Sequence, residues 1–106
     1  MDVTYKVILK GLVQGVGFRH FAYKRAHELG LKGWVKNLST GEVELIVHGN
    51  KDTVNHFIFT DLKAGPSRAQ VQDMSVEEYS SDRDYQFFLV HHQILSEYLS
   101  LLNLSR

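Results

Sequence analysis

The stretch Gly11-Leu12-Val13-Gln14-Gly15-Val16-Gly17-Phe18-Arg19 holds the residues best suited to chemistry. Its glycines let a turn aim successive backbone N–H groups at one point, which makes a concave site for an anion. The free N–H groups and positive dipole end of a following helix strengthen that site. Arg19 adds a planar fork that meets phosphate oxygens two at a time. The stretch lacks the Gly-Lys-Ser/Thr ending of a nucleotide-binding loop and the three-glycine spacing of a dinucleotide site. It therefore suits a small phosphate group better than a whole nucleotide. Taken alone, the same stretch also reads as a surface turn with a solvated arginine.

A second segment, Gly33-Trp34-Val35-Lys36-Asn37, ends on an asparagine just before a hairpin-sized turn. Such an asparagine can simply serve the turn, or its neutral amide can hydrogen-bond a water and orient it. Other polar residues read more plainly. His20 is expected to be a solvated first-turn residue, and Lys36 a surface lysine. His91 and His92 are adjacent, so on a strand they point to opposite faces and a shared metal ion is not expected. Glu42 and Glu44 mark a solvated strand face. Trp34, Phe57 and Phe59 are expected to pack rather than to stack on a ligand.

The elements that must position these groups follow from periodicity. Residues 5–12 are rich in aliphatic and β-branched side chains, with Lys6 and Lys10 on one parity, and read as a half-buried strand. Phe18, Ala22, Ala26 and Leu29 form an apolar helical stripe opposite Lys24, Arg25 and Glu28, and Gly30 ends that helix. Residues 32–38 read as a strand and Ser39-Thr40-Gly41 as a turn. Residues 42–48 alternate, with Val43, Leu45 and Val47 on one face. Asn50 is the expected N-cap of a second helix, buried through Val54, Phe57, Ile58 and Leu62 and closed by Gly65-Pro66. Residues 69–79 and 85–90 give two more strands around a polar turn at 80–84. This order predicts an α+β fold, a ferredoxin-like split βαβ sandwich: an antiparallel sheet with two helices on one face. The domain is expected to span residues 1–90. Residues 91–106 form an apolar extension rich in leucine that reads as a docked or dimerising helix or as a partly ordered tail, so a monomer and a tail-mediated homodimer both stay open.

Composition narrows the function. The 106 residues carry 12 basic and 12 acidic side chains and no cysteine. Nucleic-acid binding usually shows a basic face, and residues 7–10 and 42–48 offer no aromatic platform for bases; no nucleic-acid partner is expected. Without cysteine there is no disulfide, thiolate metal site or thiol nucleophile. No run approaches the ~18 apolar residues of a membrane span, and no leader pattern is visible, so no membrane partner and a cytoplasmic location are the expectations.

The two segments, with Gly41, Val43 and Gly65-Pro66-Ser67-Arg68, resemble the acylphosphatase family over about residues 5–90. The resemblance implies the same ferredoxin-like sandwich and hydrolysis of acyl phosphates. It implies that Arg19 anchors the phosphoryl group and that Asn37 orients the attacking water. The backbone of Gln14, Gly15, Val16, Gly17 and Phe18 would cradle the phosphate or another anion. No cofactor or metal is implied. The site so read grips the phosphate and says little about the acyl group, so broad specificity is expected. The alternative is a non-catalytic anion-binding module on the same fold.

Overall fold

The structure, a computed structural model, describes residues 1–91 of the chain. The elements run β1 (Asp2–Leu12), α1 (Phe18–Glu28), β2 (Lys32–Asn37), β3 (Val43–Asn50), α2 (Lys51–His56), β4 (Gln70–Glu78) and β5 (Phe88–His91). The sheet order is β4-β1-β3-β2-β5. Alternation puts Val7 and Leu9 of β1, Val35 of β2, and Val43, Leu45 and Val47 of β3 on one face, all fully buried. That face meets Phe18, Ala22 and Ala26 of α1 and Val54 of α2 in a single core. The ferredoxin-like sandwich, with both helices on one face of the sheet, is therefore the fold observed.

Two details differ from the sequence reading. The four strands β4-β1-β3-β2 pair antiparallel as expected, but β5 joins β2 in parallel, Gly33 opposite Phe88 and Lys36 opposite His91. The sheet is thus mixed at one edge. β5 also begins at Phe88 and ends at His91, where residues 85–90 were expected. Its length is set by its partner, since β2 is six residues long, and residues 85–87 run past the end of the register although Phe87 O still accepts from Gly33 N at 2.9 Å. His91 therefore belongs to the sheet. The rest of the expected extension, residues 92–106, lies outside the described residues.

The second helix begins where expected, with the Asn50 side chain accepting from the N–H groups of Asp52 and Thr53. It then widens into a π-helical segment, Phe57–Leu62, which buries Phe57, Ile58 and Leu62. The widened turn leaves Phe59 53% exposed, so Phe59 does not pack as expected.

Gly33 shows how tightly β2 and β3 approach. Its φ is +129°, and a Cβ built there would lie 1.9 Å from the Ile46 carbonyl oxygen. The clash is with backbone of a central strand, which cannot move aside without breaking the ladder. Gly33→Ala is expected to destabilise the fold by about 3 kcal/mol, read as a lower urea midpoint at unchanged m-value.

Candidate active site

Strand direction decides where the chemistry gathers. β1 and β2 are each antiparallel to β3, and β5 is parallel to β2. The carboxyl ends of β1, β2 and β5 therefore lie along one edge of the sheet. The glycine-rich loop leaves β1 at that edge, Asn37 ends β2 there, and His91 ends β5 there. α1 starts at the same edge and runs back over the sheet.

The loop is shaped by Gly15 (φ 73°) and Gly17 (φ 79°), both in the left-handed region that side chains resist. Gly17 is the N-cap of α1 and has no side chain with which to cap the first N–H groups of the helix. No acidic residue stands in the first turn either. The N-terminus thus turns backbone N–H groups and the positive end of the helix dipole toward the loop, with no acidic side chain in its first turn. Phe18 turns inward and is 2% exposed. Deleting a buried phenylalanine typically costs about 3–5 kcal/mol, so its side chain anchors the loop to the core while its backbone stays in the loop.

Arg19 is half-buried in the first turn of α1. Its Nη1 donates to His91 O at 3.0 Å, which fixes the guanidinium between α1 and β5. A guanidinium carries five N–H donors, so the fork keeps most of its capacity for an anion.

Asn37 shares the core-side parity of Val35, under the start of α1. It lines the same cleft as Gly15, Gly17, Phe18 and Arg19. Lys36 points to the other face, where its Nζ lies 3.5 Å from Glu44 and 4.9 Å from the Trp34 ring centroid. It is a sheet-face lysine and not a site residue. His20 is exposed at the cleft margin.

Gln14 and Val16 do not line the cleft with their side chains. Val16 packs against the core. The Gln14 side chain has a separate task that the sequence did not reveal: Nε2 donates to Leu38 O at 2.7 Å and to Glu42 O at 2.8 Å. One amide thus clamps the glycine-rich loop to the β2–β3 turn that carries Asn37. The His91 carbonyl was also missed, because its contact depends on the parallel pairing of β5. Tyr23 and His27 were missed as well, although their steps of four from Arg19 place all three along one helical stripe.

The cleft has a volume of about 980 Å³ and runs from the loop along α1 toward Phe87 and Leu89. Among the described residues no three His, Asp or Glu side chains converge on a metal-sized point. No helix among them is long and apolar enough to cross a membrane.

The acylphosphatase family model matches residues 5–90. The chain belongs to this family. An acylphosphatase from Bordetella parapertussis is 47% identical over 85 residues, covering 80% of this chain and 89% of its own length. The crystal structure of the acylphosphatase from Bacillus subtilis superposes with a TM-score of 0.80 at 36% identity, covering 87% of this chain and all of that one. An acylphosphatase structure from Coxiella burnetii gives a TM-score of 0.76 at 43% identity, covering 85% and 93%. Family and fold together make this chain an enzyme that hydrolyses acyl phosphates.

The Gln14 clamp leads to a direct expectation. Gln14→Ala leaves two carbonyls of the hairpin turn without their shared donor and should destabilise the fold by about 1–2 kcal/mol, the loss being moderate because water reaches the partly buried turn. Urea unfolding measures the loss. A smaller kcat, from an Asn37 less firmly placed against the loop, should accompany it.

Proposed function

We propose that the enzyme hydrolyses acyl phosphates without a metal ion, Arg19 and the loop amides holding the phosphate and Asn37 holding the water. The observation that carries this reading is the convergence of Gly15, Gly17, Arg19 and Asn37 on one cleft at a helix N-terminus whose N-cap is a glycine. The N–H groups that follow Gly15 and Gly17 and those that open α1 receive the equatorial oxygens. The Arg19 fork adds two charge-assisted bonds. The Asn37 amide orients a water toward phosphorus.

The water oxygen forms its bond to phosphorus as the bond from phosphorus to the acyl oxygen breaks. The leaving group is a carboxylate whose conjugate acid titrates near ~4, so it departs without a proton. Phosphoryl transfer of this kind passes through a loose transition state that needs positioning and charge stabilisation. The proton of the attacking water passes to a phosphate oxygen of the substrate itself. Among the described residues no aspartate or glutamate side chain lines the cleft to compete for it. The products are a carboxylate and inorganic phosphate. The substrate is an anion whose charge bars it from crossing a bilayer unaided, so we assign the enzyme to the cytoplasm, where such a substrate would be formed.

Benzoyl phosphate hydrolysis in the presence of a metal chelator tests the mechanism. The wild type should turn over at an undiminished rate. Arg19→Ala should lower kcat/KM by about 10³-fold, and Asn37→Ala should lower kcat by about 10²-fold with little change in KM. Loss of wild-type turnover on chelation would overturn the metal-free reading. Inorganic phosphate should also raise the melting temperature of the wild type, by mass action on the folded state, and should raise that of Arg19→Ala far less.

A further inference from the structure

Strand parity leaves one sheet face turned away from both helices, and its character changes across the sheet. Over β1, β3 and the end of β2 that face carries Lys6, Glu44 and Lys36, joined in ion pairs and at home in water. Toward the β5 edge it turns apolar. Phe88 is buried and Val90 packs on the core, so alternation puts Phe87 and Leu89 on the outer face. Leu89 stands opposite Trp34 in the β2–β5 register, and the Trp34 ring lies 5.3 Å from that of His91. Phe87 is 72% exposed and Leu89 54%. Two large apolar side chains, two residues apart on an edge strand, are the kind of surface that sheets in water keep covered.

We propose that the chain's own segment 94–103 covers this edge, folded back as an amphipathic helix over Phe87, Leu89 and Trp34. The sequence of the segment has the pattern such a helix needs. At about 100° per residue, Ile94, Leu95, Tyr98, Leu99, Leu101 and Leu102 fall within one arc of about 160°, and Ser96, Glu97, Ser100 and Asn103 fall on the opposite side. An apolar face that broad needs a partner surface, and a lone helix of this length is marginal in water. The reach also fits. β5 ends at His91, so only His92 and Gln93 separate the segment from the patch, an ordinary length for a link between elements. Residues 94–103 as a helix span ~15 Å at ~1.5 Å per residue, and Phe87 to His91 spans ~13 Å at ~3.3 Å per residue. A helix that reverses direction at 92–93 thus covers the exposed edge from end to end. So short a tether also gives the segment a local concentration in the millimolar range, which lets it outcompete the same segment of a second copy.

Trp34 is the single tryptophan of the chain, so its fluorescence reports on the patch in the whole protein. In the double variant Leu95→Asp, Leu99→Asp the emission should move to the red and acrylamide should quench it about twofold more strongly. The double variant Ser96→Asp, Ser100→Asp, on the polar side, should leave both unchanged. Undiminished hydrolysis of benzoyl phosphate shows that the domain is folded in each. Hydrogen exchange on the wild type needs no variant: the amides of residues 95–103 should exchange at least about tenfold more slowly than in a synthetic peptide of residues 92–106, and Leu89→Asp should remove that protection. Emission indifferent to the Leu95→Asp, Leu99→Asp change, or amides 95–103 without protection, would overturn the proposal. Protection that survives Leu89→Asp would overturn it by seating the segment elsewhere. A dimer in sedimentation velocity that Leu99→Asp dissociates, with emission that depends on protein concentration, would overturn it in favour of a second copy as the occupant.

Discussion

The first turn of α1 brings together charges of one sign. Its N–H groups carry the positive end of the helix dipole, Gly17 at the N-cap offers them no side chain, and the first turn holds no acidic residue. Arg19 then adds a full positive charge to the same turn. A cation at a helix N-terminus costs about 0.3–1 kcal/mol where an acid would gain as much. The fold accepts that cost and fastens the guanidinium to the His91 carbonyl, which offsets part of it. In the proposed mechanism, a phosphate in the loop would set its charge against both the helix dipole and the guanidinium.

Everything around this turn serves to hold it in place. Phe18 plants the start of α1 in the core. Gln14 ties the loop to the hairpin that carries Asn37, and β5 supplies the carbonyl that holds Arg19. The two faces of the sheet divide the work. The core face ends in Asn37 and opens into the cleft. The other face carries Lys6, Glu44 and Lys36 in a row of ion pairs at 3.5–3.6 Å. These partly exposed pairs add little stability, and they hold Lys36 on the face that its strand parity already turns away from the cleft.

The sequence disclosed what depends on neighbours in the chain. The alternation of Val43, Leu45 and Val47 marked β3, the spacing of Phe18, Ala22 and Ala26 marked the buried face of α1, and Asn50 marked the next helix start, because each signal is local and periodic. Arg19 and Asn37 were singled out through the family resemblance that their two segments carry, and the structure brings both to one cleft. Features set by distant pairing stayed hidden. The parallel docking of β5 depends on β2 having a free edge, and the Gln14 bonds span 24 and 28 residues. The change from α to π geometry at Phe57 leaves the pattern of buried residues intact, so only the exposure of Phe59 betrays it.

So small a domain can run this reaction because the substrate brings most of the chemistry. A mixed anhydride has a leaving group that needs no acid and a phosphate that can take the water's proton. The proposed mechanism leaves the enzyme with charge stabilisation and placement, which backbone amides, one arginine and one amide side chain would supply. Such a site makes few contacts, so discrimination cannot come from the reacting atoms, which are shared by every acyl phosphate. It has to come from the surface next to them.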